Sequence, residues 1–154
     1  MRRIVLRTLA EKADASLWWS RSDEEFFAAG ACHVLAAAFL ATYPHAGFSA
    51  YSVRPLSHHR GGHLVVARDD LVFDWCGYTE REKFLTEYAE AMRSIVPEWA
   101  CDFVNENADP IAWDFCTARN HRHPSQFPLD PVPRAKEFLK RFASPFELAG
   151  NQAG

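Results

Sequence analysis

The segment HLVVARDDLVFDW, residues 63–75, constrains the fold more tightly than any other part of the chain. Two short runs rich in β-branched and aromatic residues flank the polar turn RDD, a pattern that pairs as a hairpin. A turn of two or four residues centred between Arg68 and Asp69 sets His63 directly opposite Asp74, both side chains on one face. A slip of one residue would part them. Asp74 lies in the apolar strand end LVFDWCG, where an unpaired carboxylate is costly to bury. His63 is a partner that removes this cost, and the carboxylate would fix the imidazole tautomer and favour its protonated form.

A second segment gives that pair a context. AAGACHVLAAAFLATYP, residues 28–44, places Cys32, Leu35, Ala36, Phe39 and Leu40 on one stripe of a helix. Before it, Ser22 and Glu25 form a capping box that starts a helix near Asp23. Glycine in a helix interior costs about 1 kcal/mol relative to alanine, so Gly30 either interrupts one long helix or is tolerated inside it. In an unbroken helix Cys32 is a small core residue. After a break it stands at a helix N-terminus, where the helix dipole and a protonated histidine both favour the thiolate, and its own N–H is free to stabilise an oxyanion.

The remaining elements fit around these two. FSAYSV (48–53) reads as a strand, RPLSHHRGG as a loop, and 63–67 with 71–75 as the hairpin. Thr79 and Glu82 suggest a cap for a helix carrying Phe84, Tyr88, Ala91 and Ile95. RIVLRTL is either a strand or a helical turn. The chain after Pro97 looks irregular, and RAKEFLKRF forms a short last helix. Helices, then strands, then helices argue an α+β domain spanning residues 1–148, with 149–154 as a disordered tail.

The 154 residues suit one domain, and a net charge of −3 gives no general attraction to nucleic acid or anionic membranes. The apolar residues of the N-terminus are broken by Arg7, Glu11, Lys12 and Asp14, so no signal peptide is expected, and no window reaches the length of a membrane span. The expected location is the cytoplasm, with the four cysteines reduced. Among His58, His59, His63, Cys76, His121 and His123 there is no CxxC spacing, and the one HxxxH pair, His59 and His63, has no second Cys or His pair to complete a tetrahedral set, so no metal site is expected.

The order of Cys at a helix head, His on one strand and Asp on the next resembles the papain-like Cys-His-Asp superfamily, in its transglutaminase-like and NlpC/P60-like arrangement. GACHVLAAAF resembles the nucleophile helix. HLVVARDDLVFDWCGY resembles the paired His and Asp strands, and is also similar to the His-strand-Asp-Gly segment of arylamine N-acetyltransferases. The likeness covers residues 28–78. It implies a small papain-like domain, a nucleophile helix packed on an antiparallel sheet, with Cys32 as nucleophile, His63 as general base and acid, and Asp74 as orienter.

Such a protein is a cysteine-dependent hydrolase or acyl transferase. It acts on a peptide, amide or thioester through an acyl-Cys32 intermediate, and its mechanism requires no cofactor. The chain departs from the pattern in one respect. Many papain-like enzymes carry a Gln or Asn ahead of the nucleophile, and here the first is Asn105. Trp18, Trp19 and Ser20 are the nearest upstream donors, and His33 and Trp75 are further cleft candidates. The missing amide also admits an alternative: a non-catalytic papain-fold interaction module with another protein as partner, as in bacterial effectors and toxins.

Overall fold

The hairpin forms, with a turn one step further along than expected. In the computed structural model, which describes residues 2–152, strand β2 (His63–Arg68) pairs with β3 (Leu71–Asp74) in the register Val66–Phe73, Ala67–Val72 and Arg68–Leu71. The turn is therefore Asp69–Asp70, and Asp69 takes the left-handed conformation (φ 51°) that aspartate tolerates better than most residues. His63 and Asp74 are consequently diagonal neighbours and not directly opposite. A shift by two keeps every side chain on its face, and a diagonal pair is within reach of side chains this long.

Three further strands complete an antiparallel sheet of order β4-β3-β2-β1-β5, with β1 at Ser49–Pro55, β4 at Gly77–Glu80 and β5 at Cys101–Asn105. β4 replaces the expected helix cap at Thr79. Asp74 pairs with Gly77 across a tight turn, Gly77 adopts φ 94°, and Phe73 faces Tyr78. The helix, α5 (Arg81–Arg93), starts only after the strand ends, so Thr79 caps nothing and Ile95 is exposed beyond its C-terminus. β5 occupies part of the stretch that looked irregular.

Eight α-helices surround the sheet among the described residues, so the molecule is a mixed α+β fold. They are α1 (Leu9–Ala13), α2 (Ala15–Trp19), α3 (Asp23–Ala28), α4 (Cys32–Thr42), α5, α6 (Trp113–Arg119), α7 (Val132–Leu139) and α8 (Pro145–Gln152). Residues 2–8 form neither the strand nor the helical turn considered above, but lead without regular structure to α1, at whose start Thr8 and Glu11 cap each other. α8 continues to Gln152, through most of the expected tail; its start is capped by the Ser144 hydroxyl, which accepts the Glu147 N–H, and 153–154 lie outside the described residues. Among the described residues no helix is long and apolar enough to cross a membrane.

Both faces of the sheet are covered. Leu64, Val66 and Phe73 point to the face under α4 and α7, where Phe26, Phe27, Phe39 and Phe138 fill the larger core. Val65, Ala67 and Val72 point the other way, to Phe84, Tyr88, Met92 and Trp99. Each fully buried aromatic contributes about 2 kcal/mol of apolar transfer. The alternation along β2 is what assigns neighbouring residues to separate cores.

Candidate active site

Gly30 breaks the helix. Its φ is 82°, α3 ends at Ala28 and α4 begins at Cys32, so the cysteine is the first residue of an eleven-residue helix. The conformation calls for glycine, and a side chain there would put its Cβ 2.9 Å from a guanidinium nitrogen of Arg7, which would have to move. Val34 and Leu35 N–H bond back to the Ala31 carbonyl, while the amides of Cys32 and His33 find no acceptor in the first turn. The thiol itself is buried, 6% exposed, and accepts the Leu64 N–H at 3.4 Å. That contact ties the head of α4 to the start of β2.

His63 is the first residue of β2 and points to the α5 side of the sheet, its ring stacked on Tyr88 at 5.7 Å. Its Nε2 lies 3.0 Å from Asp74 Oδ2. A carboxylate only accepts, so Nε2 carries the proton and Nδ1 is the nitrogen left for the thiol. Asp74 holds two further donors: Arg2 Nη1 at 2.6 Å on Oδ2, and the Cys76 N–H at 3.0 Å on Oδ1. The Arg2 and Asp74 side chains are 3% and 2% exposed, a buried ion pair. Arg2 also lies over the Phe84 ring at 4.5 Å. It is the largest omission of the sequence reading: 72 positions separate it from Asp74, and only the argument that a buried carboxylate needs compensation pointed toward a cation.

These contacts govern the ionisation of the group. Burial pushes the Cys32 thiol up, but the His33 and His63 imidazoles outweigh it and hold it well below its ordinary value. For His63 burial works downward, and Asp74 with Cys32 raises it to about 9. Burial acts upward on Asp74, which stays low through His63, Arg2 and the Cys76 amide. All three shifts run in the direction that favours a thiolate–imidazolium pair backed by a carboxylate. Burial raises the thiols of Cys76 (to about 12), Cys101 and Cys116, which leaves Cys32 alone in moving down. All four cysteines are free.

The structure brings Cys32, His63 and Asp74 together and sorts the weaker candidates. Trp75 borders the same small gap as the three. His33, fully buried, bonds the Arg122 carbonyl through Nε2 at 2.6 Å and stacks on His121 at 4.5 Å. It is also one of the two imidazoles that lower the thiol. Trp19 is placed elsewhere, against Phe26, Phe127 and Arg134. Ser20 is exposed and donates to the Ser16 carbonyl, so both are removed from the cleft set. The Trp18 indole N–H is committed to the Ala29 carbonyl at 2.6 Å and is not a free donor.

The mouth of the site is a cleft of about 420 Å³ onto which Cys32 opens. Its walls include the N-terminal segment at Val5–Arg7, the Ala28–Gly30 break, the loop 59–62 and residues 119–121. That loop is pinned from beneath: Tyr88 Oη donates to the Gly61 carbonyl and Trp99 Nε1 to the Arg60 carbonyl, both at 2.8 Å. Among the described residues no three His, Cys, Asp or Glu side chains cluster as metal ligands. Comparison of the chain with protein-family models, with curated proteins and with solved structures finds no match in any of the three.

Proposed function

We propose that this protein is a cysteine-dependent hydrolase or acyl transferase of papain-like type, acting on an amide or thioester bond through an acyl-Cys32 intermediate. The observation that carries the reading is the thiol at the head of α4 beside an imidazole whose far nitrogen is held by Asp74 at 3.0 Å. A helix packed on an antiparallel sheet, with nucleophile, base and orienter in that chain order, supports the papain-like assignment.

In this reading Cys32 Sγ attacks the substrate carbonyl carbon, and the π electrons move onto oxygen. The amides of Cys32 and His33 are the donors available to that oxyanion. As the carbonyl re-forms, the C–N or C–S bond breaks, and the leaving amine or thiol takes the proton from His63 Nδ1. His63, now neutral, then removes a proton from water or an acceptor amine. The attack of that nucleophile on the thioester releases the acyl group and restores the Cys32 thiolate and the imidazolium. Asp74 keeps Nε2 protonated throughout, and Arg2 with the Cys76 amide holds the carboxylate in place.

The experiment is the rate of iodoacetamide labelling at each cysteine from pH 4 to 9, read by peptide mass spectrometry. Fast labelling of Cys32 with an apparent pKa well below the free value of ~8.5, raised in His63→Ala, is the expected result. The second reading, a non-catalytic interaction module, draws on the depth of Cys32 and the committed Trp18 indole. A Cys32 that labels only when the chain unfolds decides for it.

A further inference from the structure

We propose that the cleft in front of Cys32 selects an acyl substrate carrying an oxyanion, a carboxylate or a phosphate, seated on Arg7 and Lys12. The inference rests on the reading of Cys32 as nucleophile and names the substrate class of that same site. Beside the cleft onto which Cys32 opens lies a second cavity of about 450 Å³, and the two share Arg7, Lys12, Gly30, Asn120 and His121. Arg60 and Arg119 line the first and Arg122 the second, while neither contains an aspartate or glutamate. The chain as a whole is acidic, at −3, so this is a local inversion of charge.

Most of that charge has no ion-pair contact among the described residues, although Cys32 and Glu11 both act favourably on Arg7. Arg119 is paired with Glu106 at 2.7 Å. Arg60 and Arg122 spend their guanidinium bonds on backbone carbonyls, those of Arg7 and Lys12, which accept hydrogen bonds but cancel no charge. Glu11, the carboxylate nearest in sequence to Lys12, is engaged by Arg21 at 2.6 Å. Neither Arg7 nor Lys12 has an ion-pair partner among the described residues. Arg7 is also partly enclosed: it is half-buried, lies 5.8 Å over the Trp18 ring, and packs where Gly30 leaves room.

A partly enclosed guanidinium with open donors is suited to the two parallel hydrogen bonds of a carboxylate or phosphate. A concave, cationic, partly desolvated surface concentrates anions in front of it. With the anion on Arg7 and Lys12, an acyl group reaching back past Gly30 meets the thiol.

The test compares two alkylating agents of nearly equal size, anionic iodoacetate and neutral iodoacetamide. Each forms an Sγ–CH₂ bond and releases iodide. The iodoacetate-to-iodoacetamide rate ratio at Cys32 should be about tenfold higher in the native protein than in the same chain unfolded in urea, as expected for one weakly screened cation beside the reacting anion. It should fall several-fold in Arg7→Gln and in the exposed-site variant Lys12→Gln. Equal ratios in native and unfolded chains overturn the proposal.

The Cys32→Ala protein, titrated calorimetrically with succinate and with inorganic phosphate, reads the anion seat without the thiol. Binding lost in Arg7→Gln supports it, and whichever of the two anions binds identifies the source. Binding of neither overturns it. A Cys32 that reacts with neither reagent while succinate or phosphate still binds overturns the nucleophile, and with it the acyl part of the proposal, leaving an anion site.

Discussion

Two residues would decide the proposed chemistry, and each carries a prediction. His63 is raised to about 9 and Cys32 is lowered, shifts that favour an ion pair between the pH at which the thiolate takes a proton and about pH 9. Under the proposed acyl-Cys32 reading, turnover should follow a bell. The acid limb reports Cys32, and the alkaline limb near 9 reports His63 losing the proton that the leaving group needs. The stability contributed by His63 has the matching sign. Its folded value lies above the unfolded one, so the contribution is complete below about 6.5 and is lost as pH rises through about 9. Urea midpoints of wild type and His63→Ala, compared from pH 6 to 10, should converge toward the alkaline end. A constant difference would count against an imidazolium in the native state. Arg2→Met should cost about 3 kcal/mol in urea unfolding, because it strands a buried carboxylate. The same change should cost less in an Asp74→Asn background, and an additive double-mutant cycle would show that the pair does not interact. The sequence showed His63 and Asp74 because a hairpin relates them locally. Arg2 was hidden because nothing local fixes where an N-terminal segment without regular structure will lie.

At the scale of elements, the break at Gly30 determines whether Cys32 is a helix head or a core position. The apolar stripe through Cys32, Leu35 and Phe39 was legible, since it is a property of helical period. Whether the helix began at Asp23 or at Cys32 was not, because glycine is compatible with both. Gly30→Ala should destabilise by about 2 kcal/mol through the left-handed backbone and should slow Cys32 labelling as the new methyl displaces Arg7. Denaturation and iodoacetamide kinetics check the two effects separately; an unchanged labelling rate would mean that Arg7 and the helix break do not bear on the thiol. The hairpin shows the opposite case. Its existence and faces followed from alternation, but the turn lay one step further along than inferred, and only the even shift kept His63 and Asp74 on one side. Thr79 and Glu82 mimicked a helix cap, whereas the pairing of Phe73 with Tyr78 and the conformation of Gly77 made a strand of GYTE. Tertiary pairing outweighed a local signal there.

On the scale of the whole molecule, the site lies at a seam. Cys32 belongs to the core beneath α4, and His63 is stacked on Tyr88 of the core beneath α5. The two meet at the end of β2, where Leu64 N–H bonds the thiol. The walls come from distant places in the chain, among them residues 5–7, 28–30, 59–62 and 119–121. No one segment contains the cleft or its charge, which is why composition, with its mildly acidic balance, could not reveal a cationic mouth. The 59–62 wall depends on the α5 side through Tyr88 and Trp99. Tyr88→Phe should thus cost about 1 kcal/mol, the net value of one hydrogen bond, and should raise amide exchange in residues 59–62 more than in β2. Since both cores must be in place before thiol and imidazole meet, the depressed thiol is a property of the assembled sheet. Thiolate absorbance at neutral pH should then disappear in the same urea transition as tryptophan fluorescence, whose reporters include Trp99 in one core and Trp18 in the other. If the thiolate were lost at lower urea than the fluorescence change, the head of α4 would open independently. Access to Cys32 would in that case be governed by a local equilibrium of that helix end and not by the stability of the domain.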